Sequence, residues 1–155
     1  MPHTSKQFYQ FLGIHSFLIG LFPFFIPVFL WQQGFNLAQI SFFIAITGIG
    51  FVLSLWVWDR AHKRINFLHI IAASFAIEIL LLLTVFLLGG SVFLPLLALL
   101  NGAYNCFFWI TQRALFFETI SPENTGRKFG NFQIFVVIIL KAGVFCGGLL
   151  LDKTG

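Results

Sequence analysis

The sequence predicts an all-α polytopic membrane bundle of five transmembrane helices. Three observations carry that expectation. Hydrophobic residues make up 59% of the 155-residue chain and charged residues only 9%, with a mean hydropathy of +0.95; an ordinary soluble domain carries roughly 25% charge. A chain of this size buries only about two-thirds of its surface, so in water much of that apolar surface would stay wet. Finally, the apolar residues fall in five continuous runs of about the ~20 residues a helix needs to cross hydrocarbon, without the alternation of barrel strands.

The first run covers residues 8–30. It is too long for the core of a signal peptide, has only Lys6 before it and lacks a small-x-small cleavage site after it, so it is expected to remain in the mature protein. Pro23 and Pro27 are expected to bend it and to free backbone carbonyls in its outer half. The second run covers 37–58, the third 65–88, the fourth 92–117 and the fifth 129–151. Ser121 before Pro122 reads as a helix N-cap with proline at the first helical position, which would start the fifth helix earlier than hydropathy does. The links between runs are short, so consecutive helices must run antiparallel. The whole chain, 1–155, reads as a single membrane domain.

Charge sets an orientation. With the N-terminus cytoplasmic, Lys6, Arg60, Lys63, Arg64, Arg113, Arg127 and Lys128 lie inside, Lys153 lies outside, and Lys141 lies within the membrane. Short loops with that asymmetry obey the positive-inside rule, and a plasma or inner membrane is the expected location. Trp31 falls at the expected outer boundary and Trp56 and Trp58 at the inner one, as an aromatic belt requires. The net charge of +4 is therefore a matter of topology rather than of nucleic-acid binding. The second and fifth helices end alike, in Asp59-Arg60 and Asp152-Lys153. Helices one to three and four onward would then be two copies of one unit inserted with opposite topology, as in secondary transporters. A sixth helix is the expected missing counterpart.

The fourth helix carries the most polar side chains. Asn101, Asn105 and Gln112 project within about 40° of one another at ~100° per residue, with Trp109 next to them and Tyr104 on the other flank. Lipid offers nothing to an amide, so this stripe must face protein or water; it reads either as a cavity wall or as interhelical hydrogen bonding. Arg113 reads as a snorkelling side chain, as an attractor for an anion, or as a partner of Glu118. Glu78 and Lys141 both fall near the midplane, where a charge costs ~2.5–3.5 kcal/mol on insertion scales. They read as a mutual ion pair, with Glu78 alternatively neutral and bonded within its own helix, or as a coupling carboxylate and a counter-charge. His15 on the first helix is either a packed histidine or a proton relay. Gly143 and Gly147 form a GxxxG motif, which permits close approach to some other helix.

The chain contains no HExxH, GxSxG or Walker motif. Its two cysteines and four histidines are scattered without metal-ligand spacing. Neither an enzyme nor a metal or cofactor is expected, and Cys106 and Cys146 read as packing residues.

Leu55-Trp56-Val57-Trp58-Asp59-Arg60-Ala61-His62-Lys63-Arg64 resembles the G-x-x-x-D-R-x-G-R-K signature that follows the second helix of the major facilitator superfamily. The acid and three bases match, and Leu55 and His62 replace the two glycines. The stretch from Ser121 to Gly130 is similar to the loop before that family's fifth helix, and Gly143 with Gly147 to Asp152 is similar to that helix's glycine-rich end. The resemblance implies the first five helices of a six-helix N-terminal half, with the sixth helix and the C-terminal half absent. It implies a secondary active transporter moving a small solute by alternating access. It would place His15, Asn101, Asn105, Trp109, Gln112 and Arg113 on the substrate path. Asp59, Arg60, Lys63, Arg64 and Glu118 would sit at a cytoplasmic gate. The alternative is a small membrane module that oligomerises or binds a partner membrane protein.

Overall fold

The computed structural model describes residues 5–88, 93–119 and 123–154. Every regular element among them is helical: α1 (Ser5–Leu21), a 3₁₀ turn (Pro23–Phe25), α2 (Ile26–Gln32), α3 (Leu37–His62), α4 (Phe67–Leu88), α5 (Leu94–Thr119) and α6 (Thr125–Thr154). Five stretches are long and apolar enough to cross a membrane: Phe8–Gln32, Leu37–His62, His69–Leu87, Leu94–Glu118 and Thr125–Lys153. The chain thus fits a multi-pass membrane protein whose apolar helices meet lipid.

The boundaries differ from the hydropathy reading in three places, each with a local cause. The first span is interrupted rather than merely bent. Pro23 cannot continue the backbone ladder, so the chain tightens into the 3₁₀ turn before α2 resumes. Helix α3 runs four residues past Trp58 to His62 and takes Asp59 and Arg60 into its last turn, leaving only a short turn with Lys63 and Arg64 before α4. Helix α6 begins at Thr125 and continues through Lys153. Ser121 and Pro122, the expected cap, lie outside the described residues, and Asn124 just before the helix adopts φ +55°, a conformation asparagine tolerates.

The turn between α2 and α3 is fully specified by its residues. Gly34 takes φ +87°, which only glycine adopts freely. Asn36 then caps α3: its side chain accepts from the Gln39 amide at 2.9 Å, and the Gln39 side chain accepts from the Asn36 amide at 2.9 Å.

Two compact units make up the chain, Met1–Ile26 with Ala114–Gly155, and Pro27–Arg113. In the first, α1 packs along α6. A Cβ on Gly143 would collide with the carbonyl oxygen of Phe17. One on Gly20 would collide with that of Leu140 and lie 2.8 Å from the Val144 nitrogen, and one on Gly147 would lie 2.7 Å from the Leu21 oxygen. The motif's glycines therefore have a partner, α1, and let the two backbones touch. About three turns from that crossing, Phe8, Phe116, Phe129 and Phe132 form an aromatic cluster, with ring centroids 4.8 Å apart for Phe116 and Phe132 and 6.0 Å for Phe8 and Phe132.

In the second unit α3 crosses α5 in the same manner. A Cβ on Gly50 would lie 2.9 Å from the Leu99 oxygen. One on Gly102 would collide with the Thr47 oxygen and lie 2.6 Å from the Phe51 nitrogen. The two crossings correspond residue for residue. Each glycine meets the carbonyl three residues before its opposing glycine, and Gly20 and Gly102 both meet the amide one residue after theirs. Gly50 precedes Asp59 by nine residues, as Gly143 precedes Asp152.

Candidate functional site

The polar side chains of the fourth span converge inside the second unit. More than half of that span is buried (56%), against 17% of the second span, so α5 is the helix whose side chains meet protein. Asn105 donates from Nδ2 to the Asn101 carbonyl at 2.7 Å and to Asn101 Oδ1 at 3.3 Å. Asn101 in turn donates to Thr47 Oγ1 on α3 at 3.5 Å, and Thr47 donates to the Phe43 carbonyl at 2.9 Å. The two asparagines therefore form a ladder that ties α5 to α3 one turn from the Gly50–Gly102 crossing. Two turns further along, Trp58 Nε1 donates to Thr111 Oγ1 at 2.9 Å in a buried bond between the same helices. Trp58 is thus a packing residue, not part of the aromatic belt, while Trp31 and Trp56 stay 60% and 65% exposed as a belt requires. His62 stacks on Trp58 with centroids 4.9 Å apart.

Gln112 stands apart from this network. It is only 1% exposed, and neither its Oε1 nor its Nε2 has a hydrogen-bond partner among the described residues. A buried amide that makes none of its bonds costs several kcal/mol as a rough order. Such a group marks a place where a water or a polar solute completes the bonding.

Glu78 is the central residue of its span and is 4% exposed. Its carboxyl interacts with the hydroxyl of Tyr104 on α5, itself fully buried. Ser74, one turn earlier on α4, is buried too and donates to the Ile71 carbonyl at 3.0 Å. Lys141 sits near the middle of α6 and is exposed. Within its own unit the Glu78 carboxyl lies beside the Tyr104 hydroxyl.

His15 and Ser16 are both fully buried on α1, in the first unit, with the His15 ring 5.5 Å from that of Phe11. Trp109 is half-buried. Arg113 is exposed, lies 5.5 Å from the Trp109 ring and donates to the Trp109 carbonyl at 3.4 Å. Of the expected gate residues, Asp59 and Lys63 form an exposed ion pair of 2.6 Å one turn apart, and Arg60 lies 3.3 Å over the Trp56 ring. Arg64 and Glu118 are exposed.

Compared with known proteins, the chain matches no family model, no curated sequence and no solved structure.

The structure brings together Asn101 and Asn105, and Trp109 with Arg113. It adds Thr47, Trp58, Thr111 and Tyr104, which sequence reasoning left out of the site. Tyr104 was visible as a flank of the amide stripe, but nothing in the order of residues says that α4 lies beside it. Three apolar grooves run along the first unit, one of them lined by Gly13, Ile14, Phe17, Leu18 and Ile139, and none is lined by a candidate residue. Among the described residues no group of histidines, cysteines or carboxylates could hold a metal.

Proposed function

We propose that this chain is the membrane-embedded part of a secondary active transporter that moves a small polar solute by alternating access. The observation that carries the reading is the correspondence of the two glycine crossings. The first span pairs with the fifth, and the fourth pairs with the second, through the same atoms in the same register. If spans one and two are repeated as four and five, each crossing joins one helix from each copy. An odd number of spans separates the copies, so the second is inserted upside down. Inverted repeats of that kind underlie many secondary transporters, whose sites lie near the midplane between repeats. The acid-base endings at Asp59 and Asp152 keep the register of the glycines, and the motifs resembling the major facilitator superfamily point to the same class.

Three features support a solute path on this frame: Gln112 with its open amide, the asparagine ladder, and the carboxyl of Glu78 at the centre of its span. In this reading Gln112 and Trp109 bind the solute, Glu78 carries the coupling proton beside the Tyr104 hydroxyl, and Asp59 and Lys63 belong to the cytoplasmic gate. Arg113 lines the same path, and a second helical bundle supplies the opposing wall. The N-terminus is cytoplasmic and the membrane is the cell's plasma or inner membrane.

Uptake tests this directly. Cells expressing the full-length protein are given a panel of labelled sugars, amphipathic cations and carboxylates with an imposed proton gradient. Accumulation of one class that stops when the gradient collapses, and that becomes pH-independent in Glu78→Gln, is the expected result. Failure to accumulate any class, or pH dependence that survives Glu78→Gln, would overturn the transport or the coupling assignment respectively.

A further inference from the structure

We propose that the outer face of α6 is a docking surface for a transmembrane helix that carries a carboxylate near its midpoint, with Lys141 as the recognition residue. The face is defined by the other side of the same helix. Phe132, Val136, Gly143 and Gly147 are buried, and the two glycines meet α1. At ~100° per residue Lys141 projects about 200° from Gly143, on the opposite side. Around it Ile134, Val137, Ile138 and Phe145 are 60%, 52%, 61% and 68% exposed. Among the described residues Lys141 has no ion-pair or hydrogen-bond partner.

Depth makes that exposure expensive. Lys141 is two residues from the centre of the Thr125–Lys153 span, which is about 3 Å along a helix. The nearer edge of the hydrocarbon is then roughly 12 Å away, beyond what a lysine stem covers by snorkelling. An ammonium left in lipid at that depth costs ~2.5–3.5 kcal/mol on insertion scales, so protein or water must cover it.

The neighbours decide which. A water-filled lumen would be lined by polar groups, whereas the four residues flanking Lys141 are aliphatic or aromatic. A second copy docking by two-fold symmetry through this face would bring Lys141 against its own counterpart, a like-charge contact. An apolar helix with one acid at the same depth satisfies both the greasy stripe and the single cation. None of these residues is assigned to the solute path.

The test uses the purified full chain in phosphatidylcholine nanodiscs, with a donor dye on a C-terminal tag. Acceptor-labelled leucine-alanine transmembrane peptides carry Asp, Leu or Lys at their central position. We expect the Asp peptide to half-saturate energy transfer at an about fivefold lower peptide-to-lipid ratio than the Leu peptide. The Lys peptide should not associate, Lys141→Leu should erase the Asp preference, and Lys141→Arg should keep it. Lys141→Leu removes a midplane charge, so its helix content and thermal stability should equal or exceed wild type, which separates lost docking from misfolding. Equal transfer for all three peptides, an Asp preference that survives Lys141→Leu, or two copies of the chain associating as strongly as the Asp peptide would overturn the proposal.

Discussion

At the scale of single residues, the interior of the second unit divides its polar groups into satisfied and open ones. Asn101, Asn105, Thr47, Trp58 and Thr111 all find partners on α3 or α5, and Gln112 finds none within the described protein. Replacing Gln112 with methionine, of similar volume, removes a buried unsatisfied amide. We expect the solute-free protein to gain about 1–3 kcal/mol of stability in detergent while solute uptake is lost, the exchange of stability for function common at binding sites. A Gln112→Met protein that is less stable than wild type would show that the amide already makes its bonds. The Glu78–Tyr104 contact calls for a double-mutant cycle. Glu78→Gln and Tyr104→Phe should be non-additive by about 0.5–3 kcal/mol in thermal or denaturant unfolding, and additivity would show that the two groups do not act as a pair.

At the scale of elements, glycine decides where helices touch. Gly147 and Gly148 are adjacent on α6, yet a Cβ on Gly147 would lie 2.5 Å from Phe25 Cε2 and 2.7 Å from the Leu21 oxygen, whereas Gly148 has nothing within 4 Å. Gly147→Ala should therefore destabilise the protein by about 1–3 kcal/mol. Gly148→Ala should be neutral or stabilising by up to about 1 kcal/mol through helix propensity. Melting temperatures of the two variants in one detergent check this, and similar losses from both would refute the α1–α6 contact. Such partners are not legible from the motif. GxxxG states that some backbone comes close, and only the fold says that it is α1. Helix ends were partly legible. The prolines at 23 and 27 are local chemistry and mark an irregularity in the first span, whereas the Asn36–Gln39 capping box, equally local, came from the structure. The extension of α3 to His62 could not be read from hydropathy, because charged residues can continue a helix as it leaves the membrane.

At the scale of the molecule, the twin crossings predict matched energetics. Gly102→Ala and its counterpart Gly20→Ala each force a Cβ into a carbonyl of the facing helix, so both should destabilise their units by about 1–3 kcal/mol. Their unfolding losses should agree within about 1 kcal/mol. A large loss at one and none at the other, measured by unfolding from lipid or detergent, would mean that the correspondence has no shared packing role. The correspondence was faintly legible in the paired Asp-base endings, but its strongest expression is spatial.

What the order of residues determined is whatever depends on solvent and on neighbours along the chain: five membrane-length helices, their approximate limits, an irregularity at Pro23 and Pro27, and the expense of Glu78 and Lys141 in lipid. Tertiary structure alone decided which helix answers each of those needs. It gave Glu78 to Tyr104, Asn101 to Thr47, Trp58 to Thr111 and the α6 glycines to α1, and it left Lys141 facing outward. The reason is physical. Transfer into hydrocarbon is a property of each segment by itself, whereas close packing and hydrogen bonds between helices exist only once two distant segments share a surface.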